Sequence, residues 1–265
     1  MLTLVFKFQM AKIVDQQGHS KEQGNSNQHA HRDGIVRGKG KSVGAVGTSG
    51  KAYSRFNCKY FGRDIVGKLD ERKKNIIKQR GFGRLLKYDG CSAPRGFVKW
   101  IADQVDVNCY DILVVGKVIP CSPLSLNLFL GIPLGGEDVN SSYSDSNKAE
   151  FLKKIGESSL PSIKSLGQKL LGNTLDDDNV FRYFMLVALA TFLCPNSSTF
   201  PSPKYFGALL DVSRVREFDW SKYVFEWLFS SIKNYRRKHR GTIGGCIYFL
   251  AVSALMYFLQ LPIFA

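Results

Sequence analysis

The chain has 265 residues, 44% apolar and 22% charged, enough to bury one sizeable core with a tail beside it. Its formal charge of +15 is uneven: residues 1–99 hold 21 Lys and Arg against 7 acids, whereas residues 100–265 hold 16 against 15. No histidine occurs between His31 and His239, which argues against hydrolases, thiol proteases and histidine-ligated metal sites, and the basic excess points towards polyanions such as nucleic acid or an acidic membrane surface.

Leu2–Phe6 is too short for the apolar region of a signal peptide and runs into Lys7, so secretion is not expected. Residues 1–55 read as a disordered basic arm, rich in Gln, Gly, Ser, Asn, His and Lys, with too little apolar surface to offset the entropy of ordering. Within it Gly34–Ser42 imitates a phosphate-binding loop, but the first glycine is one residue too early and no strand or helix frames it. The six cysteines, Cys58, Cys91, Cys109, Cys121, Cys194 and Cys246, lack zinc-ligand spacing and read as reduced core residues.

From Phe56 the patterns become regular. Ile65, Leu69, Arg72 and Ile76 share a helical face that Gly81 closes. The opposite face carries Arg72, Lys73, Lys74, Lys78 and Arg80, followed by Arg84 and Lys87 and interleaved with Tyr60, Phe61, Phe82 and Tyr88. Cations beside stackable rings suit single-stranded nucleic acid, and equally describe a solvated helix face over ordinary core aromatics. Residues 94–105 predict a short helix. Residues 111–115 and 118–121 then form β-type runs joined by Gly116-Lys117, a leading-glycine hairpin turn. Ser122 and Pro123 open the next helix, and Gly131 with Pro133 ends it.

The run Leu130-Gly131-Ile132-Pro133-Leu134-Gly135-Gly136 after that hairpin resembles the plant mobile domain, a family of plant transposable elements and host proteins derived from them, often catalogued as aminotransferase-like. The resemblance continues through Phe184–Pro195, Lys204-Tyr205, Phe218-Asp219-Trp220 and Gly245–Leu250, covering roughly residues 80–255. It implies a nuclear, mostly helical, transposon-derived module, with some host relatives acting in silencing, and transfers no catalytic residue. It also implies a final helix running on into a longer domain, so that the chain is expected to be a fragment. No Schiff-base lysine in a cofactor pocket is legible, so no cofactor is expected.

Downstream, residues 178–194 predict a helix in which Tyr183–Cys194 carry no charge, a segment that must be surrounded, with Met185 and Leu189 at its centre. Asp176, Asp177 and Asp178 stand at its start as dipole partners rather than metal ligands. Residues 219–235 predict an amphipathic helix burying Trp220, Tyr223, Val224, Trp227, Leu228 and Tyr235, with Lys222, Glu226 and Lys233 opposite. Residues 241–265 hold no charge and read either as a core helix or as a membrane anchor.

These readings combine into a mainly α fold: a helical domain over residues 56–240 with a small antiparallel β-hairpin, a disordered basic arm before it and a hydrophobic helix after it. The expected role is a non-enzymatic nuclear module bound to nucleic acid or chromatin, with no small-molecule substrate and no metal. Its expected contacts are Lys73, Lys74, Lys78, Arg80 and Arg84, with Arg236, Arg237, Lys238 and Arg240 as a second patch. The alternatives are a tail-anchored membrane protein and, least favoured, an enzyme with acids or thiols converging in a cleft.

Overall fold

The computed structural model describes residues 53–54, 56–88, 95–114, 116–238 and 242–258. The chain divides at Lys51 and Ala52, and the expected arm lies outside the described residues except for its last few positions. Eight α-helices and five short strands are present among the described residues.

In chain order the strands are β1 (Tyr53–Ser54), β2 (Val105–Asp106), β3 (Asp111–Val114), β4 (Lys117–Pro120) and β5 (Thr242–Ile243). The helices are α1 (Glu71–Gln79), α2 (Arg95–Asp103), α3 (Pro123–Leu130), α4 (Asp145–Lys154), α5 (Ile163–Leu171), α6 (Asp177–Ala188), α7 (Trp220–Lys238) and α8 (Ile247–Phe258). A mainly helical domain with a small antiparallel sheet is thus the observed architecture.

Helix α6 forms where the sequence places it, with Asp176 as N-cap accepting from the Asn179 amide at 2.8 Å. Every residue from Val180 to Cys194 is buried, Met185 and Leu189 completely. The last turn departs from the α-helix expected through Cys194. Leu189–Leu193 widens into a π-helical turn in which the Cys194 amide reaches Leu189 O at 2.8 Å, the Thr191 hydroxyl donates back to Val187 O at 2.6 Å, and Pro195 follows. The Thr191 carbonyl accepts the Asn57 amide at 2.8 Å, which ties the start of the domain to its core helix.

Aromatic side chains complete the enclosure. Phe61 stacks on Phe192 at 5.0 Å and lies 5.8 Å from Phe184, and Phe82 lies 5.4 Å from Phe181. Tyr88, Phe56 and Tyr248 add to the cluster around Phe192. Burying a phenylalanine stabilises the fold by about 1.5–3 kcal/mol, so this cluster outweighs any single polar contact around it.

Two expected elements change. The helix read from Ile65 begins only at Glu71, because the Asp70 carboxylate caps the Lys73 amide at 2.9 Å and Leu69 is extended. Ile65 instead ends a π-helical turn, Tyr60–Ile65. Gly81 does follow the helix in the left-handed region, at φ 88°. The hairpin is a three-stranded antiparallel sheet, because β2 pairs with β3 through Val105↔Ile112. Val114 pairs with Lys117, which puts Gly116 (φ 69°) at the second turn position instead of the first. The cap of α3 forms as read, with a Ser122–Ser125 capping box, Pro123 at the first position and Gly131 left-handed at φ 62°.

Helix α8 belongs to the same unit. It packs on α2, β3 and β4, burying Ile247, Phe249, Leu250, Ala251, Ala254 and Leu255, while β5 just before it pairs in parallel with β1. At 12 residues it is about 18 Å long. Among the described residues no helix is long and apolar enough to cross a membrane.

The loop after α3 is clipped onto the start of α7. Pro133 O accepts the Ser221 amide at 2.9 Å, Ile132 O accepts the Ser221 hydroxyl at 3.0 Å, and Glu137 exchanges backbone bonds with Glu217 and Asp219. Gly136 has φ 102°, and a Cβ there would overlap the Glu217 carbonyl. Gly136→Ala is therefore expected to cost about 2 kcal/mol or more in urea unfolding, against about 1 kcal/mol for Gly116→Ala, whose site is open space. Equal midpoints for the two variants would show that the clip does not hold.

Candidate nucleic-acid interface

Most of the expected cationic face of α1 is engaged within the fold. Lys73 is 2% exposed, and its Nζ lies 2.8 Å from Asp70 and 3.5 Å from Asn173 Oδ1, so it cannot face a ligand. Lys74 pairs with Glu71 at 2.9 Å on the same helix. Arg72 reaches Asp177 and Leu175 O, and Arg80, half-buried, pairs with Asp178 at 2.7 Å. The aspartate triplet is therefore divided: Asp176 caps α6 while Asp177 and Asp178 dock α1 against that helix's start. Arg182, 6% exposed, sits beneath, donating to Leu209 O, Leu210 O and Asn179.

Of the rings expected beside those cations, Phe61 and Phe82 are core residues and Tyr60 and Tyr88 are half-buried. Phe61 and Phe82 have no exposed surface, and Tyr88 donates to Phe129 O at 2.8 Å. Burial therefore rules out stacking of bases on Phe61 and Phe82, for which the ordinary-core alternative holds.

The second patch is also divided. Arg236 donates to Ala102 O at 2.9 Å and Asp103 O at 2.8 Å, satisfying carbonyls that the end of α2 leaves without helical partners. Arg237 is exposed and donates to Asn234 Oδ1, and Lys238 is exposed. Arg240 lies outside the described residues.

What remains converges on a different surface. Lys78, Arg84, Lys87 and Arg216 are exposed and make no ion pair with an acid among the described residues. Arg84 and Arg216 flank one cleft of about 370 Å³, formed by Gly81, Asn127, Leu128 and the loop Gly131–Leu134, and no acidic residue lines it. Arg84 is held there by donating to Leu128 O at 2.6 Å, and Gly131 lacks the Cβ that would overlap its stem. Asn127 fixes the opposite wall through Ile132 O at 2.7 Å. The Lys78 stem packs against Gly83, and Lys87 ends the 3₁₀ turn Gly83–Lys87 that carries Arg84. Leu128 and Leu134 are exposed at the same cleft. Arg216 was not legible as part of this surface: it lies on the turn Val215–Glu217, and only the tertiary clip brings that turn beside Gly81.

The arrangement can hold phosphate groups by charge and forked donation. Burial pushes the Cys121 and Cys246 thiols up to about 12, and Cys194 is raised well above its ordinary value for the same reason, whereas Cys109, expected in the core, is exposed and Cys91 lies outside the described residues. Among the described residues no three His, Cys, Asp or Glu side chains gather to hold a metal ion.

Two outcomes follow for the engaged cations. Arg236→Ala is expected to lower stability by about 1.5–3 kcal/mol in thermal or urea unfolding, since it strips charged donors from α2 carbonyls, and an unchanged midpoint would contradict the capping role. The Lys73 side chain first, then its amide, hold the Asp70 carboxyl below its ordinary value of 3.8. A lowered folded value means that the contribution is complete above about 3.8 and is lost as pH falls further, through the folded value. Lys73→Met should therefore flatten the loss of stability as pH falls below about 4, and an unaltered acid profile there would contradict the pairing.

A family model described as a domain of unknown function, DUF8566, matches residues 54–251, more than half of the chain, and the chain belongs to that family. No curated protein matches, and no solved structure does.

Proposed function

We propose that this member of the DUF8566 family is a non-enzymatic interaction module that binds nucleic acid, alone or within chromatin, through the cleft between Arg84 and Arg216. The supporting observation is two arginines, without an ion pair among the described residues, lining one acid-free cleft, with Lys78 packed against Gly83 and Lys87 on the turn that carries Arg84. Binding phosphates in this way releases counterions, so affinity falls steeply with salt. Exposed Leu128 and Leu134 offer apolar surface to sugars and base edges between the phosphates. The plant-mobile-domain resemblance over residues 80–255 fits a nuclear, transposon-derived origin for such a module, and we carry that origin as part of the same proposal.

The full chain should retain DNA or RNA on a filter or column at low salt and release it as salt rises. Replacing Arg84 and Arg216 together by Gln should weaken binding and reduce the slope of log affinity against log salt by about 0.7–0.9 for each phosphate no longer neutralised. Lys74→Gln, at an internally paired position, should leave that slope unchanged. Salt-insensitive or absent retention would overturn the reading, as would equal effects of the two substitutions.

A further inference from the structure

A second concavity, on the face of α7, has a chemistry unlike the basic cleft. Its volume is about 410 Å³, within the range of roughly 300–1,000 Å³ usual for small-molecule sites. Trp227 and Tyr223 line it one helical turn apart, with ring centroids 6.0 Å from each other. The indole N–H of Trp227 points to Pro195 O at 3.4 Å, and Gly244 closes against the same carbonyl, where a Cβ would crowd it. Gly244 is fixed in turn by donating its amide to Ser231 Oγ at 2.6 Å. The wall carrying the indole is thus preformed by three separate segments.

Three other lining side chains, Lys204, Asn140 and Asn234, are exposed and open to a ligand. Lys204 places its ammonium 5.8 Å from the Trp227 ring centre and pairs with no acid among the described residues. Asn140 has a side-chain amide that bonds to nothing described, and the Asn234 amide accepts from Arg237 while its N–H₂ group has no acceptor among the described residues. Tyr223 is 4% exposed, and among the described residues its hydroxyl is the one buried side-chain polar atom without a partner.

We infer that this pocket takes one nucleotide, its base against Trp227 and read by the Asn140 and Asn234 amides, its phosphate on Lys204. The lining favours this class over simpler ones. A neutral sugar leaves Lys204 without a counter-charge, inorganic phosphate leaves the indole and both amides unused, and an acyl chain meets polar groups it cannot satisfy. Base-on-aromatic stacking combined with amide readout of base edges is how unpaired nucleotides are held, and duplex bases cannot reach such a pocket without being extruded. Lys204 must leave the ring face for the base to enter, and the incoming phosphate draws it in that direction. Glu226, the acid lining the pocket, lies 4.0 Å from Lys222, which Asp138 shares at 3.8 Å.

The inference rests on the nucleic-acid reading when the nucleotide is part of a strand, and stands apart from it when the nucleotide is free. The full chain is titrated with adenosine 5′-monophosphate, with a single-stranded oligonucleotide and with the matching duplex. The single strand should bind more tightly than the duplex. Trp227→Ala should weaken single-strand binding about fivefold or more without altering duplex binding, and Trp227→Phe should restore it. Lys204→Gln, on an exposed side chain, should weaken single-strand binding with the fold intact by thermal melt. Saturable monophosphate binding that disappears in Trp227→Ala, with no strand binding, assigns the pocket to a free nucleotide and removes the nucleic-acid reading alone. Equal weakening of single-strand and duplex binding in Trp227→Ala, or no change in either and no monophosphate binding, overturns the pocket while leaving the Arg84–Arg216 cleft to stand on its own variants.

Discussion

A helical stretch that is uncharged on every side has no face to give to water, and the enclosure of residues Tyr183–Cys194 governs the rest of this domain. Phe61, Phe82 and Tyr88 close over it, α5 packs along it, and the start of the domain is tied to its widened last turn through Asn57 and Thr191. At its other end the helix exposes amides and three carboxylates. Those carboxylates fix where α1 can lie, because Arg72 and Arg80 reach Asp177 and Asp178 from one side.

That docking decides which cations are available to a partner. Exposed pairs such as Arg72–Asp177 add little stability each, but they hold α1 in one orientation and neutralise the charges nearest the core helix. Buried Lys73 would be costly without Asp70 and Asn173. Of the cations left without an ion pair among the described residues, Arg84 past the end of α1 and Arg216 on its turn meet where the glycine-bearing loop Gly131–Gly136 brings the two together.

Some of this is legible in the sequence, and the rest is hidden for physical reasons. Local signals are readable: Ser122, Pro123 and Gly131 around α3, Gly81 after α1, and the uncharged run of α6 all act within a few residues of themselves. Periodicity places Ile65 and Ile76 on one face but is blind to Asp70, whose side chain competes for the backbone and restarts the helix. The fate of Lys73, Arg80 and Arg236 depends on partners up to 134 residues away, as with Arg236 and Ala102, and nothing in a charge run reveals that. Strand β2 is two residues long and exists only because β3 lies beside it. The pocket at Trp227 is assembled from Lys204, Asn140 and α7, so the stripe that marks Trp227 as core is half the answer: the ring is part-buried and its remaining edge lines a cavity.

Internal pairing engages most of the expected basic face of α1, and in the proposed function the charges around Arg84 and Arg216 are the ones that meet a polyanion. Chemical acetylation of lysines in the full chain, with and without a bound oligonucleotide, tests this most directly. Lys73 is expected to react slowly in both states, and Lys78 and Lys87 to become less reactive on binding, while Lys233 and Lys238 are unaffected. Protection of Lys233 and Lys238 with Lys78 and Lys87 unchanged, or rapid acetylation of Lys73 in the free protein, would contradict it.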